Sequence, residues 1–156
     1  MFRKISVLAA STVLSMSVLC LLFLAGCSHN SDPFSYVKVS GKVTYEDGSL
    51  IPADRIILKF MPENAPVVGN LHPRGGLSNV DVKTGEFKSV TSHTPRDGLV
   101  PGKHKVIITG DDNVPLPASI VPEDYADFKT TPLEVDTEYT PFHLKVTKPA
   151  PGSGAQ

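Results

Sequence analysis

Val37-Lys38-Val39-Ser40-Gly41-Lys42-Val43-Thr44-Tyr45-Glu46-Asp47-Gly48 alternates apolar and polar side chains and then closes on a turn dipeptide. Val37, Val39, Val43 and Tyr45 share one face, while Lys38, Ser40, Lys42, Thr44 and Glu46 share the other. Successive strand residues point to opposite sides, so this stretch predicts a half-buried strand with one side on a core. Asp47-Gly48 suits a turn because both residue types tolerate the backbone angles a tight reversal needs.

Working outward, the same period returns. Residues 55–61 put Ile56, Leu58 and Phe60 on one face. Residues 62–79 carry Pro and Gly throughout and read as a long loop, after which 80–82 and 87–91 read as a hairpin around Lys83-Thr84-Gly85. A turn cluster at 97–102 leads into 103–109, where His104, Val106 and Ile108 face inward and Lys103, Lys105, Ile107 and Thr109 outward. Residues 111–127 are irregular, because Pro115, Pro117 and Pro122 forbid a regular helix, with room for one turn over 123–128. Two last strands, 131–136 and 140–147, turn Leu133, Val135, Phe142, Leu144 and Val146 inward. Seven short alternating segments predict an all-β fold, a seven-stranded antiparallel β-sandwich.

Ahead of this domain lies a different kind of segment. Arg3 and Lys4 precede an apolar run from Ile5 to Phe23, and Leu24-Ala25-Gly26-Cys27 closes it. A cationic start, an apolar centre and small residues before a cleavage point make an export signal over residues 1–26. An uncleaved spanning helix would need about 20 predominantly apolar residues. Ser6, Ser11, Thr12, Ser15 and Ser17 dilute the run, and the next charge after Cys27 is Asp32, so no cationic stop follows. The tetrapeptide resembles the lipobox of bacterial lipoproteins, in which the cysteine thiol takes a diacylglycerol and the signal is cut before it. The resemblance implies lipid attachment at Cys27, a membrane-anchored location in the cell envelope outside the cytoplasm and, from Ser28 at the next position, sorting to the outer membrane.

Removal of 26 residues from 156 leaves 130, enough for one domain with a modest core. Thirteen basic residues then face 16 acidic ones, a net charge of about −3 that excludes nucleic acid as an expected partner. Cys20 leaves with the signal and Cys27 is acylated, so the exported domain has no disulfide and depends on packing. The organisation expected is a signal over 1–26, a lipidated N-terminus and tether over 27–35, a β-sandwich domain over 36–148 and an unstructured tail over 149–156.

Four stretches carry a resemblance within the domain. VSGKVTYEDG at 39–48, DVKTGEF at 81–87, GLVPGKHKVII at 98–108 and PEDYADFKTTPLEV at 122–135 follow in the order seen in the carboxypeptidase regulatory-like, or transthyretin-like, domain. That resemblance implies a Greek-key arrangement of the seven strands, and it implies no single activity, since such domains commonly serve as non-catalytic modules. His104 stands where that family usually has an inward tyrosine; it reads either as a ligand or base, or as a packed histidine replacing the aromatic.

No arrangement of residues specifies a reaction. The C-terminal Tyr-Arg-Gly-Ser of hydroxyisourate hydrolases is absent, as are a Gly-x-Ser-x-Gly elbow and the zinc motif of the peptidases that carry regulatory domains. His29, His72, His93, His104 and His143 lack the short spacings of zinc sites, and no cofactor is expected. Asp111, Asp112 and Asn113 read as an Asx-type turn rather than a calcium loop, and the acid pairs Glu123/Asp124 and Glu134/Asp136 as solvated surface. Arg74 and Arg96 read as ordinary solubilising residues, the alternative being an exposed cationic loop for an anionic partner. Tyr36, Tyr45, Tyr125, Phe128 and Tyr139 are the groups available to stack on a ligand, with Tyr45 and Phe128 expected in the core. The expectation is a non-enzymatic envelope module that meets an envelope protein or polysaccharide; the alternative is a carbohydrate- or peptide-binding protein, or a small hydrolase, using loops 62–79 and 111–127.

Overall fold

β1 (Gly41–Tyr45) runs through the opening stretch and buries Val43 and Tyr45, with Val39 buried just before it. The structure, a computed structural model, describes residues 32–111 and 114–149. Cys27, the signal over 1–26 and most of the tail lie outside the described residues. After β1 come β2 (Ile56–Pro62), β3 (Gly76–Val80), β4 (Glu86–Phe87), β5 (Lys103–Thr109), β6 (Glu134–Asp136) and β7 (Phe142–Val146). Short 3-10 turns at Glu123–Ala126 and Thr137–Tyr139 interrupt the later connections. The described chain is mostly β, in two sheets: three strands ordered β4-β1-β7 and four ordered β3-β2-β5-β6.

Alternation determines what each sheet turns inward. β2 buries Ile56, Leu58 and Phe60, β5 buries His104, Val106 and Ile108, and β7 buries Phe142, Leu144 and Val146. Apart from His104, these side chains meet in one cluster fed by both sheets, each contributing about 1.5–3 kcal/mol for a large apolar group removed from water. Phe60 from the four-stranded sheet faces Phe87 and Phe142 from the three-stranded one at centroid distances of 6.0 and 6.3 Å. Among the described residues no helix is long and apolar enough to cross a membrane.

Two expectations are corrected. The sheets are not wholly antiparallel, because β1 and β7 pair in parallel from Gly41↔Phe142 to Tyr45↔Val146. Nothing local specifies the direction in which the first and last strands meet. The loop expected over 62–79 also ends early: β3 begins at Gly76 and pairs antiparallel with β2, from Phe60↔Gly76 to Ile56↔Val80. Its pattern is inverted, with Gly76, Ser78 and Val80 buried while Leu77 is 51% exposed, so apolar alternation did not reveal it. Gly76 is inward for want of space, since a Cβ there would lie 2.4 Å from Leu99 Cδ2 and 2.5 Å from Val90 Cγ1. The expected hairpin is present only as isolated bridges, Asp81↔Glu86 and Leu77↔Thr91: its second strand shortens to β4, which pairs with β1 in the other sheet.

Candidate functional site

A surface concavity of about 720 Å³ lies on the outer face of β2 and β3 and is walled by residues 88–96. Its lining combines apolar Ile57, Leu77 and Pro95 with mixed charge, Arg55, Lys88 and Arg96 against Asp81 and Glu86. Arg55 is already engaged, since its guanidinium donates to the Asp111 carboxylate and, at 3.3 Å, to the Asn79 side chain. Arg74 does not line this groove, so Arg74 and Arg96 do not form one cationic cradle there. A second groove of about 420 Å³ crosses the end of the three-stranded sheet between Lys42, Glu86, Lys88 and His143.

The wall of the larger groove is built by a residue that sequence reading missed. Asp97 accepts backbone N–H bonds from Ser92 at 2.8 Å, His93 at 2.8 Å and Thr94 at 2.7 Å. Burial works to raise this carboxyl, but the three amides outweigh it and hold it below the usual carboxylate range. Asp97 therefore fixes the loop that carries Arg96. The only legible hint was an Asp close to a Ser-His-Thr run.

His104 is the one buried imidazole among the described residues, 1% exposed. Its Nδ1 lies 3.0 Å from the Gly102 carbonyl. Because that oxygen accepts, Nδ1 carries the proton of the neutral ring and Nε2 is left bare, with no hydrogen-bond partner among the described residues. Burial pushes the imidazole below the ordinary histidine range, and the Gly102 bond and the charges of Asp136 and Glu63 oppose this only in part. The packed-histidine reading describes this side chain.

A pH dependence follows. The folded pKa lies below the unfolded value of about 6.5, so on acidification the unfolded chain binds a proton that the folded chain refuses. Stability is constant above that range and falls as pH drops through about 6.5 towards the folded pKa. Thermal unfolding between pH 7.5 and 5.5 should show a steeper fall in Tm for the native chain than for His104→Phe. Parallel slopes would exclude His104 as the cause.

The other candidates are dispersed. His72, His93 and His143 are exposed on separate segments, His29 lies outside the described residues, and no group of three or more His, Cys, Asp or Glu is placed to hold a metal among the described residues. Asp111 is occupied by Arg55, while Asp112 and Asn113 lie outside the described residues. Glu134 bridges Lys103 at 3.0 Å and Lys105 at 3.4 Å, and these partners lower its pKa. Asp136 caps the following turn through the Glu138 amide. Glu123 and Asp124 are exposed in the 3-10 turn.

The aromatic candidates need correction. Tyr45 is buried as expected, donating its hydroxyl to the Ile120 carbonyl at 2.7 Å. Tyr125 is also buried, and its hydroxyl donates to Thr147 Oγ1 at 3.1 Å and accepts from the Thr147 amide at 2.9 Å, so it is not free to stack. Phe128, expected inside, is only half-buried and outside the core cluster, because the chain around it is a turn without strand period. Tyr139 is 72% exposed and Tyr36 half-buried. The two loops expected to hold a site begin at opposite ends of β2, although Arg55 joins Asp111 of one to Asn79 at the end of the other. Ile57 is opposite Thr109 and Pro62 opposite His104, so the two loops start about 17 Å apart along β2.

No protein-family model, curated protein or solved structure matches the chain.

Proposed function

We propose that this chain is a lipid-anchored protein of the bacterial cell envelope. It is acylated at Cys27 and holds a non-catalytic β-sandwich outside the cytoplasm as an interaction or structural module. In this reading the seven strands form a Greek-key sandwich of the transthyretin-like, carboxypeptidase regulatory-like kind, residues 27–35 are its tether, and Ser28 directs it to the outer membrane. The observation that carries the reading is Leu24-Ala25-Gly26-Cys27 at the end of the apolar run. A thiol is the nucleophile a diacylglyceryl transfer requires, and two or more acyl chains anchor stably where one is marginal.

The test is metabolic labelling with an alkyne-tagged palmitate. The native chain is expected to take up label and to sediment with membranes, and Cys27→Ala to lose the label and accumulate as a longer, unprocessed form. Equal labelling of the two chains, or none of either, would overturn the reading.

A further inference from the structure

We infer that the tip of the β2–β3 loop is a membrane-contacting element, which seats Val67, Val68 and Leu71 in the interface of the bilayer that carries the anchor. The inference rests on the reading of Cys27 as that anchor. The three side chains fall within five residues and are 50%, 46% and 55% exposed. They are held outward by backbone rather than left to collapse. Val68 and Leu71 exchange two hydrogen bonds, at 3.1 and 3.0 Å, around Gly69-Asn70, and Gly69 takes the φ of +62° that this tight reversal needs. Adjacent apolar groups fixed in water mark a contact surface.

The position of the loop says what covers it. Glu63 at its start donates its amide to the Lys103 carbonyl at 2.8 Å, and Gly76 at its end lies against Leu99. Leu99 in turn exchanges two backbone bonds with Val37. The loop is therefore rooted at the end of the sheets where the chain arrives from its N-terminal side. Ten residues separate Cys27 from Val37, at most about 35 Å of extended chain. The anchor's tether enters at this end, and the loop that carries the apolar tip is rooted on it.

Charge agrees with a bilayer. Arg74 follows the tip, and Arg96 lies in the 92–98 segment, whose Ser92 borders Gly76 at the same root. An apolar point flanked by cations matches the boundary between acyl chains and anionic phosphate headgroups. The neighbouring Asp97 carboxylate is turned into its own loop by three amides, and the acids at the root, Glu63 and Asp136, face Lys103 and His104.

The chain has no tryptophan, so Leu71→Trp supplies a single reporter at an exposed position. Leu50→Trp is the control, since Leu50 is 40% exposed in the turn after β1, at the opposite end of that strand. The full acylated chain is reconstituted in phosphatidylethanolamine–phosphatidylglycerol vesicles, with and without brominated acyl chains. Leu71→Trp emission is expected to shift to the blue and to be quenched by the brominated lipid, and Leu50→Trp to do neither. Equal quenching of both reporters, or quenching of neither while the chain floats with the vesicles, overturns the inference and leaves the anchor reading standing. A blue shift that grows with protein concentration in the absence of vesicles means that a second copy covers the tip, and also overturns it. Failure of the acylated chain to float would bring down the anchor reading, and this inference with it.

Discussion

Gly98→Ala should cost about 4 kcal/mol or more and lower Tm by well over ten degrees, while Gly102→Ala costs about 1–2 kcal/mol. The two glycines have nearly the same backbone, φ +107° and +112°, in the region that disfavours any side chain. They differ in space. A Cβ on Gly102 would meet nothing within 4 Å, whereas one on Gly98 would stand 1.9 Å from the Val37 carbonyl oxygen and 2.5 Å from its carbon. Those atoms are backbone and cannot rotate away. Relief requires parting Val37 from Leu99, which breaks bonds of 2.7 and 3.0 Å, worth about 0.5–1.5 kcal/mol each, and disturbs the fully buried Leu99. A domain of this size has about 5–15 kcal/mol to lose. Thermal unfolding of both variants separates strain from collision, and equal losses would show that the close approach to Val37 is not what Gly98 provides.

Gly98 also shows what the sequence could carry. As a residue of GLVPG it was legible as a turn, but the carbonyl that demands a glycine belongs to Val37, sixty-one positions earlier, and no local pattern encodes that approach. Alternation succeeded wherever one face of a strand is apolar, as in β2, β5 and β7. It failed at β3, where crowding by Val90 and Leu99 makes the inward residues small and Ser78 is satisfied instead by the Ser89 carbonyl at 2.7 Å. It failed again at Ile107, which is buried although it falls on the outward phase of β5. The groove was less legible still. Its walls come from segments that meet only after both sheets form, and the side chain that shapes it, Asp97, works through backbone amides rather than through a motif.

The joint between the sheets carries the other large effect. Phe60→Ala should destabilise by about 3–5 kcal/mol, the range for a buried phenylalanine cut to a methyl with partial collapse of the cavity. Phe60 is 1% exposed and supplies the four-stranded sheet's ring to a triad completed by Phe87 and Phe142, whose centroids are 6.5 Å apart. Tilts of 50° and 38° between Phe60 and its partners are far from face-to-face stacking and bring ring edges towards ring faces, an arrangement worth about 0.5–1.5 kcal/mol beyond area. Collapse is restricted on the facing side. A Cβ on Gly41 would already lie 2.8 Å from Phe87 Cζ and 2.5 Å from the Phe142 carbonyl oxygen, so β1 is as close to those rings as its backbone allows. Phe60→Ala with Phe142→Ala should therefore cost less than the sum of the single changes by about 0.5–1.5 kcal/mol, since the second loss removes a contact already gone. Denaturant unfolding of the four chains in the cycle measures that difference. Strict additivity would mean that Phe60 and Phe142 fill space independently, and that the sheets are joined by the aliphatic residues around them.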